Sequence, residues 1–335
     1  MDNTVVHTPE TEIRAPELLT VSPSPHIKSG VTTRSVMGDV LIALAPACVW
    51  SVVVFGFRAL ALILLSTLLC VGFEWLTQTI LRRPVTVRDL SAAVTGVLLA
   101  MNLPVTLPYW MLIPGALFAI VVVKQLFGGI GKNFLNPALA ARVFLLSAWP
   151  GQMTYFTAPM EWVSPFRAAD AVASATPLAS LSTESASILD LFLGRVGGSL
   201  GEVSALMLIL GGAYLIVRRV ITWHIPVSYI GTVALLALIF PRVGAGIEGM
   251  LFELLAGGLM LGAIFMATDY VTSPITAWGR VIYGVGCGLL TVFIRYLGGY
   301  PEGVSFSILV MNTLVWYLDR ATKPRVFGGG KHGKA

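Results

Sequence analysis

Charge is the first thing this sequence lacks. Only 12% of its 335 residues are Asp, Glu, Lys or Arg, against about 25% in an ordinary soluble domain. That leaves too little polar surface to cover a water-soluble globule of this size. The net charge of +5 does not point to nucleic acid, because the basic residues stand in loops between apolar runs, as topology signals do. Cysteine is scarce too. Cys48, Cys70 and Cys287 each lie alone inside an apolar run with no CxxC pair, so no iron–sulfur or zinc site is expected within this chain alone. His7, His26, His224 and His332 are scattered, which argues against a haem or metal pair, and no metal site is expected. No GxGxxG opens a helix after a strand and no phosphate loop occurs, so a dinucleotide such as NADH is expected to bind elsewhere. The first 36 residues are polar and hold no apolar core of signal-peptide length, so no secretory signal is expected.

What the sequence has instead is long apolar runs. Hydrophobic residues make up 56% of the chain. Stretches such as VLIALAPACVWSVVVFGF, ALALILLSTLLCVGF and YWMLIPGALFAIVVV carry no charge. They approach the roughly 20 residues that span a hydrocarbon core. The expectation is an all-α integral membrane protein with about ten transmembrane helices, at 38–57, 59–80, 89–103, 109–126, 134–149, 203–217, 226–240, 250–267, 280–296 and 303–318. The third, fifth, sixth and seventh are short for full crossings. An even count puts both termini on one side. If that side is cytoplasmic, sixteen Lys and Arg fall inside and only five outside, with Arg142 within a span. The positive-inside rule then orients the chain. Residues 1–37 form a cytoplasmic segment and 38–149 a first membrane half. Residues 150–202 form an outer loop, 203–318 a second membrane half and 319–335 a basic cytoplasmic tail.

The two halves echo each other. The first has VTLP (Val105 to Pro108) followed by KQLFGG, which ends at Gly129. The second has VTSP (Val271 to Pro274) followed by RYLGG, which ends at Gly299. From proline to first glycine is 20 residues in one half and 24 in the other. Five spans per half is odd, so the second copy runs inverted through the membrane. Two inverted five-helix repeats commonly build a central site from interrupted helices near the midplane. The third and eighth spans, punctuated by Pro and Gly, fit that part.

Candidate site residues follow from two arguments. Polar groups inside a membrane are costly and mark function by default. Arg142 lies within the fifth span and needs either a carboxylate, carbonyl or cofactor partner, or a route to snorkel to the interface. Glu74, about two turns from the inner end of the second span, is an ion-pair partner or a binding group. Asn102 and Asp269 end the third and eighth spans, where they line a central cavity or cap helices. Asn133 and Asn136 flank a turn. The second argument concerns the outer loop at DAVASATPLAS (Asp170 to Ser180). Pro177 holds Thr176 extended with its hydroxyl presented. Taken alone, a plain linker explains such a loop as well.

The whole chain resembles the family formed by the D subunits of Rnf complexes and the B subunits of sodium-pumping NADH:quinone oxidoreductases. The likeness runs through SPSPHIKSG (Ser22 to Gly30), GGIGKNFLNPALAARVFL (Gly128 to Leu145), MATDYVTSPIT (Met266 to Thr276), GGYPEGVSFSILVMN (Gly298 to Asn312) and DRATKPRVFG (Asp319 to Gly328). In this family a threonine of the outer loop carries FMN through a phosphoester bond made by a flavin transferase. The family pattern is roughly Asp-x-x-Ser/Thr-Gly-Ala-Thr. Asp170, Ala175 and Thr176 match it. Ala173 and Ser174 depart from it at positions that bear on transferase recognition and not on the acceptor oxygen. The resemblance implies a membrane component of a translocase in a bacterial or archaeal plasma (inner) membrane. Such a component is catalytically incomplete alone and works with the A, B, C, E and G subunits of the Rnf complex. It couples electron transfer between ferredoxin and NAD to movement of Na+ or H+. A second, non-covalent flavin, riboflavin, is also associated with the family. Two other readings remain at this point: the quinone-reducing relative, and a flavin-free channel or transporter, since an inverted repeat alone also resembles urea-channel-like folds.

Overall fold

Inside hydrocarbon a backbone amide has no water to bond, and a helix closes all its hydrogen bonds within one segment. The apolar runs follow that rule in the computed structural model, which describes residues 30–160, 187–202, 204–242, 244, 246–298 and 303–324 and the backbone of 173–174. From Thr33 onward the described chain belongs to one unit. Its helices are α1 (Thr33–Phe55), α2 (Phe57–Ile80), α3 (Ser91–Met101), α4 (Tyr109–Gln125), α5 (Pro137–Ala148), α6 (Ile188–Leu193), α7 (Ala205–Val217), α8 (His224–Ile239), α9 (Gly246–Leu255), α10 (Leu259–Met266), α11 (Ala277–Leu297) and α12 (Val304–Ala321). By length and composition α1, α2 and α11 can each cross a membrane, and α9 with α10 pass together as one span bent by 65°. Helices α3, α4, α5, α7 and α8 are shorter and apolar. The architecture is that of a polytopic all-helical membrane protein.

Local chemistry sets the boundaries. Gly56, at φ 76, separates α1 from α2 with no other break in the apolar run. Asn136 caps α5, its side chain accepting from the N–H groups of Ala138 and Leu139, and Pro137 takes the first helical position. Thr276 caps α11 in the same way through the Gly279 N–H. Gly257, at φ 73, breaks α9 from α10. Both α4 and α10 contain π-helical stretches, Phe118–Gln125 and Gly262–Met266, a local widening common at functional sites.

Packing repeats between the halves. Helix α2 lies against α3 and α4, and α8 lies against α9 and α11. Helix α4 meets α5 as α11 meets α12. Across the halves, first meets first in α1 with α7, and fifth meets fifth in α5 with α12. This is the pattern of two related five-element units. Glycine allows the closest approaches. A Cβ at Gly96 of α3 would lie 2.6 Å from Thr67 Cα of α2, and Gly284 and Gly288 seat α11 on α8 in the same manner. Small residues serve this purpose where lipid, not water, surrounds the helices. Only a third of the apolar stretch of α1, and of α2, is buried. Leu60, Leu64, Leu68 and Trp75 of α2 are exposed, which is the face such a helix turns to lipid.

Candidate functional site

The two halves meet where their interrupted helices end. After α3 the chain turns through 102–108, the Leu107 N–H donating to Pro104 O at 3.2 Å, and the segment before α7 pairs with it. Gly201 donates its N–H to Met101 O at 2.6 Å and Leu200 donates to Leu103 O at 3.0 Å. Pro104 and Ser199 form an isolated bridge. Ser51 of α1 donates to Leu200 O at 2.5 Å. The buried guanidinium of Arg58 holds the other side, donating to Val105 O at 2.7 Å and Leu107 O at 3.1 Å while lying over the Tyr109 ring. Every backbone group at this depth needs such a partner.

This pairing carries Glu202 inward to Arg142. Arg142 of α5 is 7% exposed and Glu202 is 6% exposed. Arg142 Nη2 stands 3.5 Å from Glu202 Oε1. Its Nη1 donates to Asn102 Oδ1 at 3.2 Å and to Ser305 Oγ of α12 at 3.0 Å. Asn102 Nδ2 in turn bonds Leu98 O and reaches Met266 Sδ of α10. A side chain at Gly258, the break between α9 and α10, would press on Glu202 Oε1. One arginine thus gathers α3, α5, α10 and α12 around a charge pair in a buried place. Of the two readings open for Arg142, the geometry is that of a partnered arginine turned into the bundle.

A second set lies beside it. Asn136 Nδ2 donates to Met266 O at 3.2 Å. The Asn312 amide of α12 accepts from the Asn136 N–H at 3.1 Å and donates to Thr272 O at 3.0 Å. Asp269 accepts from Thr272 Oγ1 at 3.0 Å and lines a cavity of about 50 Å³ with Thr268, Phe265, Leu98 and residues of α1 and α7. Asn102 is not among its lining residues. The two ends of the interrupted helices therefore differ in role, Asn102 serving Arg142 and Asp269 the cavity. Asn133 holds a turn through Leu135 O at 3.0 Å.

Glu74 belongs to a third cluster. It is 1% exposed and pairs with Lys124 of α4 at 2.9 Å. Gln125 donates to it at 2.8 Å, and Lys124 also donates to Ser91 Oγ at 2.6 Å. Glu253 and Arg295 make a matching pair at 3.0 Å in the second half. Sequence reasoning counted Lys124, Arg58 and Arg295 as loop charges; all three are buried. It also left Glu202 at the end of the outer loop. The available signal was the GSLGE turn just before an apolar run, which is weak without knowing what it pairs with.

Of the outer-loop candidates, Asp170, Ala175 and Thr176 lie outside the described residues. Ser174 is described as backbone only. It pairs antiparallel across from Phe156, in a two-residue ladder of β1 (Phe156–Thr157) and β2 (Ala173–Ser174). The neighbouring Tyr155 O accepts from Thr106 Oγ1 of the VTLP turn at 2.5 Å, and the Met160 N–H donates to Val54 O of α1 at 3.1 Å. β1, which leads the loop, is thus tied to the first membrane half.

Comparison with known proteins extends these observations. The model of the NQR2, RnfD, RnfE family matches residues 20–328. The D subunit of the Na(+)-translocating ferredoxin:NAD(+) oxidoreductase complex of Acetobacterium woodii is 50% identical over 316 residues, covering 92% of this chain and 95% of its own. Its counterpart in Clostridium ljungdahlii, the D subunit of a complex named proton-translocating ferredoxin:NAD(+) oxidoreductase, is 40% identical over 324 residues, covering 93% and 96%. The D subunit of the ion-translocating oxidoreductase complex of Methanosarcina acetivorans is 37% identical over 311 residues, covering 92% and 97%.

Proposed function

The chain belongs to the NQR2, RnfD, RnfE family, and we propose that it serves as the D subunit of an ion-translocating ferredoxin:NAD oxidoreductase, with FMN bound covalently to Thr176. The observation that carries this reading is the end-to-end match to relatives of that name, 50% identical in one case. Those names favour the ferredoxin-linked complex over the quinone-linked one and over a flavin-free transporter. Two of them name different ions, Na+ and H+.

The chain's own residues have distinct tasks in this reading. A phosphoester needs a side-chain oxygen on a segment a transferase can reach. Thr176 follows β2 by two residues, and the ladder to β1 ties that segment's approach to the VTLP turn. The flavin, when attached, supplies one-electron transfer. Asp170 positions the segment for the transferase. Arg142 and Glu202 hold the interrupted helices in register, so that the ends of α3 and α10 keep a fixed spacing. Asp269, at the small cavity, offers the carboxylate for the coupling ion. Riboflavin is the second flavin expected of the complex.

Orientation follows the Lys/Arg asymmetry, with cytoplasmic termini in the plasma (inner) membrane and residues 150–202 outside. Ser182→Cys then reacts with an impermeant thiol reagent applied from outside intact cells. Reaction only after the membrane is opened contradicts this orientation. In-gel flavin fluorescence after denaturation tests the cofactor. Wild type co-expressed with a flavin transferase fluoresces and Thr176→Ala does not; equal fluorescence in both removes Thr176 as the acceptor.

A further inference from the structure

Helices α7 and α8 form a hairpin that does not close. Helix α7 packs on α1, α6 and α10, while α8 packs on α9, α10 and α11. A groove of about 440 Å³ is left between the two. Ile209 and Ile216 line one wall, Val227 and Ile230 the other, and Ile264 also lines it. Every lining residue is apolar.

One end of the groove reaches the turn between the helices, through Ile221 and Pro226. That turn is basic. Arg219 sits at φ 58, the left-handed place just past a helix end that glycine fills most cheaply. Its side chain is exposed and has no hydrogen bond or ion pair among the described residues. Arg218 pairs with Asp39 at 3.3 Å, and Arg280 donates to Thr222 Oγ1 at 3.2 Å, so two more positive charges flank the same turn. Trp223 is exposed and stacks on His224 with ring centres 4.3 Å apart. A tryptophan at the end of an apolar groove marks headgroup depth. Basic pockets between helices at that depth suit anionic headgroups.

We propose that this groove holds one anionic glycerophospholipid, with an acyl chain along the α7–α8 cleft and the phosphate on Arg219. A helix of another protein in the complex fits the apolar walls as well. It gives no reason for an exposed arginine in a left-handed position, without a partner among the described residues, two residues from the groove-lining Ile221.

Native mass spectrometry of the full chain in detergent, titrated with phosphatidylglycerol or phosphatidylcholine, tests this. Wild type retains one phosphatidylglycerol in preference to phosphatidylcholine. Arg219→Gln lowers phosphatidylglycerol affinity about fivefold and leaves phosphatidylcholine unchanged. Gly231→Leu, whose Cβ meets nothing within 4 Å, fills the groove and blocks both lipids without disturbing the packing. Equal affinity of wild type for the two lipids overturns the proposal. So does phosphatidylglycerol binding that neither variant changes, or a Gly231→Cys crosslink to a helix of another protein in the purified complex.

Discussion

The two membrane halves place a cation at the same point and satisfy it differently. Lys124 in KQLFGG and Arg295 in RYLGG occupy corresponding places near the ends of α4 and α11. Each grips the short inner helix of its own repeat. Lys124 bonds Ser91, the first residue of α3, and pairs with Glu74 of α2. Arg295 bonds Glu253 O at 2.7 Å and Ala256 O at 3.3 Å, at the break that leads into α10, and pairs with Glu253. The first cluster is cushioned, since Gln125 and Gln78 also donate to Glu74. The second is bare, because Glu253 Oε1 and Arg295 Nε are buried with no partner among the described residues. The two halves therefore keep the location of a clamp while the carboxylate moves from a neighbouring helix to the interrupted helix itself.

This difference ranks the expected effects of mutation. Removing one member of a buried pair strands the other charge and costs about 3–5 kcal/mol. Arg295→Met takes away the side-chain donor that Glu253 has among the described residues, and thermal unfolding in detergent should place its cost near the top of that range. Lys124→Met leaves Glu74 its two glutamines and should fall near the bottom. Replacing both partners with Lys124→Met and Glu74→Leu should recover most of the loss. A larger loss for Lys124→Met than for Arg295→Met breaks the comparison.

Next in size is the helix contact beneath the first clamp. Gly96→Ala places a methyl on the Thr67 backbone and should cost about 1–3 kcal/mol. A Cβ at Gly72, also on α2, meets nothing within 4 Å, and Gly72→Ala should stay within about 0.5 kcal/mol. Equal effects in the same unfolding assay would deny that α2 and α3 are held by close approach.

Arg142 sharpens the comparison from the functional side, because it joins the halves instead of bracing one of them. Arg142→Leu should still insert in the membrane but lose redox-driven ion uptake into vesicles. Wild-type uptake in a well-expressed variant reduces Arg142 to a structural residue.

Much of the fold was legible in the hydropathy pattern. Apolar runs located the helices, and VTLP and VTSP lie in the turns that follow α3 and α10. Glu74 stood out within its span as an ion-pair partner, but Lys124 did not, and neither member of the Glu253–Arg295 pair did. Glu74 and Lys124 lie 50 residues apart and Glu253 and Arg295 lie 42 apart, and Lys124, Glu253 and Arg295 sit near helix ends where a loop charge looks the same. Arg142 stood out because it lies alone within an apolar segment, whereas Glu202 did not because it follows a long polar loop. Only packing separates a charge that faces water from one folded back into the bundle.

The smallest expected effect on stability accompanies the largest on function. With Thr176 on the proposed outer loop, Thr176→Ala should shift unfolding by no more than about 0.5 kcal/mol while removing the flavin. Peptide mass spectrometry of residues 150–202, in chain purified from cells that also express a flavin transferase, tests the flavin assignment most directly. The expected result is an FMN adduct on Thr176 that survives Ser174→Ala. An adduct on any other residue, or none at all, contradicts it.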